Sequence, residues 1–239
     1  MYKKSEDDSY KWGSGLFIDC ETQKYPRIAV SDSLSKVVNY INDNKWYPWI
    51  VPEAVEWLEN NLTSEMVGVE FGAGLSTGWF CKKLKFLHTF ECNKNWAMGI
   101  LDKISNDHNL NSKWYLHFIN CDWNKDGDSN RWYIKNNHHI RSDEELSLME
   151  QRFMGYNIEE NIDFCFVDGS VRYETFLKSI EMIQDREGAI MCVDNSEKPH
   201  RKKYLDNEVP KSWKKIEFIN TTLGNNVEMG SKTTIFIVA

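Results

Sequence analysis

The sequence predicts an α/β fold with a mostly parallel sheet and helices on both faces, and three observations predict it. Short apolar runs of strand length alternate with helix-competent segments from Met66 to Asp194, the order that builds a parallel sheet because each strand must return through a crossover. An acid closes or directly follows five of those runs: Glu70, Glu91, Asp122, Asp168 and Asp194. The first run leads through Glu70 into a turn that carries Gly72 and Gly74 and opens on Leu75, Ser76 and Thr77. Glycines there permit backbone angles and ligand approach that a side chain would block, and a helix start presents unpaired N–H groups with partial positive charge.

The elements follow in order. Residues 1 to about 30 are polar, without sustained period, and read as a cap or arm. Leu34, Val37, Val38 and Ile41 are spaced as one face of a helix, which Asn42-Asp43-Asn44 closes. The aromatic stretch Trp46 to Pro52 cannot be helical throughout, since each proline biases its predecessor to extended angles, but Pro52 suits the first turn of a helix to Asn61. Then come strand Met66 to Glu70 and helix Ser76 to Leu84, strand Phe86 to Glu91 and helix Asn95 to Ser105, and strand Trp114 to Asn120. Residues 122–160 break the rhythm with polar and charged segments, including a helix-like piece near Glu144 to Phe153, and are expected to form a surface insertion or lid. The alternation resumes with strand Ile162 to Asp168, helix Arg172 to Gln184 and strand Ala189 to Asp194, and two terminal strands follow at Lys214 to Asn220 and Thr233 to Val238.

Length and charge bound the rest. A chain of 239 residues suits one domain, with cap and helices over 1–62 and a core over 63–239 that carries the insertion near 122–160. The net charge of −7, from 36 acidic against 29 basic residues, leaves no electrostatic footprint for a phosphate backbone, so nucleic acid is not an expected partner. No apolar run reaches the ~20 residues of a membrane span, and acids among the first lysines are wrong for a signal peptide, so a cytoplasmic protein without a membrane partner is expected. The six cysteines form no C-x-x-C pair, and Cys92, Cys121, Cys165 and Cys192 lie in or beside apolar runs as buried thiols do.

In an open parallel sheet ligands bind beyond the carboxyl ends of the strands, so the acids there carry the functional reading. A dinucleotide fold wants G-x-G-x-x-G, but Thr77 holds the third glycine's position and Gly78 comes one residue late. The series VEFGAGLST, HTFECN, FINCDW, DFCFVDGSVRYE and GAIMCVDNS instead resembles the ordered motifs of class I S-adenosylmethionine-dependent methyltransferases, over about Val67 to Asn195. The resemblance implies a doubly wound, mostly parallel seven-stranded sheet whose last strand is antiparallel, which accounts for the two terminal strands. It places Glu70, Gly72, Ala73, Gly74, Ser76, Thr77 and Cys92 among the cofactor-binding residues, Gly72 to Gly74 facing the methionine part. It also implies that Glu91 holds the ribose hydroxyls, that Asp122 and Trp123 flank the adenine, and that Asp168 lies near the sulfonium. The chemistry agrees, since a diol wants a bidentate acceptor and an adenine face wants an aromatic neighbour.

The implied activity is methyl transfer from S-adenosylmethionine to a small-molecule or sugar hydroxyl. No covalent nucleophile is needed: the task is to hold the acceptor in line, exclude water and remove a proton. Asp168, Asp194 and His139 are the candidate catalytic residues. Asp168 with Asp194 and Asn195 also resembles the acid and amide set by which catechol-type O-methyltransferases hold magnesium, although the lysine those enzymes carry three residues after the first Asp is Val171 here, followed by Arg172. Without a metal, Asp168 would face the cofactor's amino group and Asp194-Asn195 the acceptor. Three other readings stay open: a nucleotide-dependent oxidoreductase, a cofactor-binding module without turnover, and calcium at Asp122 to Tyr133, where Tyr133 replaces the bidentate Glu of an EF-hand loop.

Overall fold

A computed structural model of the chain describes residues 33–119, 158–169, 172–220 and 232–239. Its strands are β1 (Val67–Phe71), β2 (Phe86–Glu91), β3 (Trp114–Phe118), β4 (Phe164–Val167), β5 (Ile190–Val193), β6 (Lys214–Ile219) and β7 (Lys232–Ile237). They form one seven-stranded sheet in the order β3-β2-β1-β4-β5-β7-β6. The first five are mutually parallel. β7 inserts antiparallel between β5 and β6, as the resemblance implies for the last strand.

The helices are α1 (Leu34–Asp43), α2 (Pro52–Asn61), α3 (Leu75–Lys83), α4 (Lys94–Ser105), α5 (His108–Asn111), α6 (Arg172–Ile183) and α7 (Pro199–Asn207). Side chains of alternate strand residues enter opposite layers. Phe164 and Phe166 join the core under α1 to α5, whereas Cys165 and Val167 join the core that holds Phe176 of α6 and Tyr204 of α7. That period of two is why β4 and β5, fully buried, read as continuous apolar runs. The same alternation on β1 sends Val67, Val69 and Phe71 to the second core and leaves Gly68 and Glu70 under α3. A Cβ on Gly68 would lie 2.6 Å from Leu84 Cδ1, so the Leu84 side chain packs into the space the glycine leaves.

Local signals explain the helix ends. Pro52 starts α2, and the Asn93 side chain accepts from the N–H groups of Asn95 and Trp96 to start α4. Lys103 of α4 donates to the carbonyl of Ile41 at 2.6 Å and to that of Asn44, closing the C-terminal end of α1. Its ammonium also lies 4.4 Å from the centroid of the Trp46 ring. The indole of Trp46 sits where a Cβ on Gly78 would be, 2.1 Å away. The late glycine of the turn thus serves helix packing, and the Trp46–Trp49 loop packs on the first core.

Two helices lay beyond the sequence reading. α5 is a single turn, and α7 is polar, with Tyr204 and Leu205 the buried apolar residues among its described side chains. β3 ends at Phe118 rather than Asn120 and β4 at Val167 rather than Asp168, while β1 runs one residue past its expected end to Phe71 and β2 ends at Glu91 as expected. Among the described residues, no helix is long and apolar enough to cross a membrane. Cys165 and Cys192 are buried and Cys92 is half-buried, none of them in a disulfide among the described residues. The cap over 1–30 and the insertion 122–160, apart from residues 158–160 at its end, lie outside the described residues, as do Cys121, the calcium-like stretch 122–133 and the 221–231 connection.

Candidate functional site

The register of the parallel strands sets their acids along one edge. Phe71 pairs with Phe90 and with Val167, and Val167 with Val193. The next residues in β2, β4 and β5 are Glu91, Asp168 and Asp194, which therefore stand nearly abreast on either side of the turn after β1.

That turn is shaped by two glycines in left-handed conformations. Gly72 has φ +102°, and a Cβ on it would lie 2.9 Å from the backbone of Gly169, itself at φ +76°. The loops after β1 and β4 thus touch backbone to backbone, an approach closed to any residue with a side chain. Gly74 differs: its φ of −166° is ordinary extended backbone, and a Cβ there would meet nothing nearer than Ser76 Oγ at 3.6 Å.

Glu70, Ser76 and Thr77, all expected on the ligand side, join through their side chains in an internal network. Ser76 Oγ donates to Glu70 Oε1 at 2.5 Å, while Thr77 Oγ1 and Thr89 Oγ1 donate to Oε2 at 2.7 and 3.0 Å. Trp114 Nε1 donates to Thr89 Oγ1 in turn, and Thr77 Oγ1 accepts from the Gly74 N–H at 3.0 Å. Burial pushes the Glu70 carboxyl up to about 8, against the opposing pull of the three hydroxyls. The acid at the head of the motif therefore ties the turn to the first turn of α3.

Glu91 is also buried, but at the rim. Its Oε2 accepts from the Ala73 N–H at 2.8 Å and its Oε1 from the Asn93 N–H at 2.5 Å. Burial raises it to about 7, with those backbone amides pulling the other way. Each carboxylate oxygen can accept more than one hydrogen bond, so these contacts leave capacity for a diol. Cys92 follows it, half-buried against the second core.

On the other side, Asp168, Asp194 and Asn195 converge on one guanidinium. Arg172 donates from Nη2 to Asp168 Oδ1, from Nη1 to Asn195 Oδ1 at 2.6 Å and to the Asp194 carbonyl at 3.0 Å, and from Nε to the Gly169 carbonyl at 3.1 Å. Its Nη2 lies 3.8 Å from Asp194 Oδ2. Arg201 Nη1 reaches the carbonyls of Asp194 and Asn195 at 3.1 and 2.9 Å, across a turn where Asn195 takes φ +50°. Asp194 Oδ1 is buried and has no hydrogen-bond partner among the described residues. Burial first, and then the Asp168 charge, push this carboxyl up to about 7 while Arg172 pulls it down.

Arg172 already holds Asp168 Oδ1 and Asn195 Oδ1, two of the oxygens that a magnesium ion would take from the expected set of Asp168, Asp194 and Asn195. The sequence reading named Arg172 only as the residue after Val171 and did not name Arg201; the four-residue spacing from Asp168 to Arg172 was the available signal. Asp122, Trp123 and His139 lie outside the described residues.

No protein-family model matches the chain, and no curated protein matches it. Solved structures do. An O-methyltransferase from Bacillus cereus in complex with S-adenosylhomocysteine superposes with a TM-score of 0.52 at 16% identity, over 90% of this chain and 92% of that one. A tRNA (m1A58) methyltransferase from Aquifex aeolicus gives 0.50 at 13% identity, over 86% of this chain and 76% of that one. At such identities the likeness is one of architecture, and it agrees with the sheet order and the antiparallel β7: the chain has the class I methyltransferase fold.

Proposed function

We propose that the chain is an S-adenosylmethionine-dependent methyltransferase that acts on a hydroxyl of a small molecule or sugar. One observation carries the reading: the left-handed turn after β1, the open face of Gly74 and the Glu91 carboxylate meet on the carboxyl edge of a class I sheet. These residues fit the cofactor. Gly72, Ala73 and Gly74 would border its methionine part, Glu91 would accept from its ribose hydroxyls, and Asp168 would lie near its charged end. Asp122 and Trp123 are proposed for the adenine. The bound cofactor supplies a methyl group already activated by a sulfonium.

The chain's own task is to place the acceptor and remove its proton. Asp194 suits that task, since its carboxyl is raised to about 7, where acid and base forms are both populated near neutral pH. It takes the proton from the acceptor O–H as the oxygen bonds to the methyl carbon. Bound S-adenosylmethionine would supply the methyl group and leave as S-adenosylhomocysteine, and Asp194 would return the proton it takes to water. His139 is the other base proposed. A net charge of −7 supports a small acceptor over RNA.

Thermal-shift measurements with S-adenosylhomocysteine and with NAD, followed by labelled methyl transfer to a panel of hydroxyl compounds, test the reading. Stabilisation by S-adenosylhomocysteine and labelled product are expected. Stabilisation by NAD alone would point to an oxidoreductase, and cofactor binding without transfer to any acceptor to a binding module.

A further inference from the structure

We propose that the guanidinium of Arg172 is the resident cation of the strand-end site, standing between Asp168, Asp194 and Asn195 where a divalent ion would have to bind, and that the reaction proceeds without a metal. The functional consequence rests on the methyltransferase reading; the placement of the cation does not.

The chemistry of the donor set is that of an oxygen-ligated metal site: two carboxylates and a side-chain amide, drawn together at the ends of neighbouring strands. A hard cation such as magnesium needs near-octahedral oxygen ligands at ~2.1 Å. Here each of those side chains already faces Arg172, which is 7% exposed and contacts all three. An arginine stays protonated in proteins, so it cannot yield its place by losing charge. Arg201 adds a second guanidinium on the Asp194 carbonyl that Arg172 also holds. Two fixed positive charges on one carbonyl oppose the entry of a doubly charged ion.

The placement is built in by the backbone. Gly169 at φ +76° turns the chain after β4 so that α6 begins with Arg172, one turn from Asp168. Asn195 at φ +50° turns its amide oxygen to the same guanidinium. Arg172 is thus a positioning residue. It sets Asp168 and the 194–195 turn in one arrangement, and proton removal falls to a side chain rather than to metal-bound acceptor.

The test is titration of the full-length protein with Mn2+, followed by electron paramagnetic resonance and by thermal unfolding. Wild-type protein is expected to leave the free Mn2+ signal unattenuated and its Tm unchanged up to millimolar ion. Arg172→Ser uncovers the oxygen set and is expected to bind Mn2+, with the binding lost again when Asp194→Asn is added; Arg172→Lys keeps the charge and should bind none. Stoichiometric Mn2+ binding by wild type that Asp194→Asn abolishes overturns the proposal, and so does a folded Arg172→Ser that gains no Mn2+ binding. If Arg172→Ser does not fold, the wild-type titration and Arg172→Lys still decide. Calorimetry of S-adenosylhomocysteine on the same wild-type sample separates the two readings: failure there sinks the methyltransferase assignment and leaves the Mn2+ result standing.

Discussion

At the β1 end of the sheet's carboxyl edge, Glu70 is fully buried among three neutral hydroxyls; at the β5 end, Asp194 is 3% exposed between two guanidinium groups. Both carboxyls are raised by burial, to about 8 and about 7. The hydroxyl side satisfies every Glu70 oxygen, yet dipoles alone offset little of the cost of burying a charge. The guanidinium side leaves Asp194 Oδ1 without a hydrogen bond among the described residues, and the Asp168 charge raises this carboxyl further, but the nearby cation opposes both effects. One half thus ties its buried carboxyl down with neutral groups, and the other sets its buried carboxyl beside cations.

The largest expected effect comes from breaking the hydroxyl side. Glu70→Ala removes the common acceptor of Ser76, Thr77 and Thr89 and opens a cavity under α3, a loss of about 3–5 kcal/mol in urea unfolding. A loss below about 1 kcal/mol would mean the network is not structural. Next is Gly72→Ala at the seam where the two halves touch. Its φ of +102° and a Cβ 2.9 Å from Gly169 cost about 1–3 kcal/mol in backbone strain alone, and calorimetry should show S-adenosylhomocysteine binding lost with it. Native affinity in that variant would separate the turn from the ligand.

Glu91 belongs to the hydroxyl-side half but lies at the rim, so it tests where structure gives way to recognition. Glu91→Ala should weaken S-adenosylhomocysteine binding by ~1.5–3 kcal/mol, the range for a charged hydrogen bond, in a protein that still folds. Unchanged affinity sinks the ribose assignment. A pH-linked effect follows from Glu70. Its folded value of about 8 exceeds the 4.5 of an exposed Glu, so the folded chain keeps a proton that the unfolded chain releases. The stabilisation is complete below about pH 4.5 and is lost as pH rises through about 8. Between those limits wild-type stability should fall by up to ~1.4 kcal/mol per pH unit from this group, and Glu70→Gln should flatten the slope by that amount. Parallel slopes for the two proteins would show that Glu70 ionises in the fold.

The sheet was legible because its physics is local: β4 and β5 are continuous apolar runs, and the strand-end acids and the Gly72–Gly74 turn follow in sequence. α7 was not, since its buried side is marked by Tyr204, Leu205 and the charged Arg201 rather than by an apolar stripe. Positions of the acids were legible, but their partners were not. Glu70 looked like Glu91 in the sequence because both close a strand; which faces inward depends on Thr89 of the neighbouring strand and on Ser76 and Thr77 arriving over it. Likewise an acid and amide set reads the same in sequence whether or not an arginine stands among its oxygens as Arg172 does.

Gly74→Ala is the smallest change and separates the two roles of the turn most cleanly. Gly72 is required by the fold, so its variants confound stability with recognition. Gly74 is not: an alanine accepts φ −166° without strain, and the added Cβ would meet only Ser76 Oγ at 3.6 Å. Its N–H still donates to Thr77 Oγ1 in the variant, so the Glu70 network is untouched. Stability should therefore stay within about 0.5 kcal/mol of wild type. If the methionine part of the cofactor packs against this face, the new methyl group occupies its space, and S-adenosylhomocysteine affinity should fall by about 1–3 kcal/mol, the range for overpacking a closed contact. Calorimetry beside urea unfolding reads both quantities on one sample. A stable variant with native affinity would move the cofactor off Gly74 and leave Glu91 as the part of this half that meets the ligand.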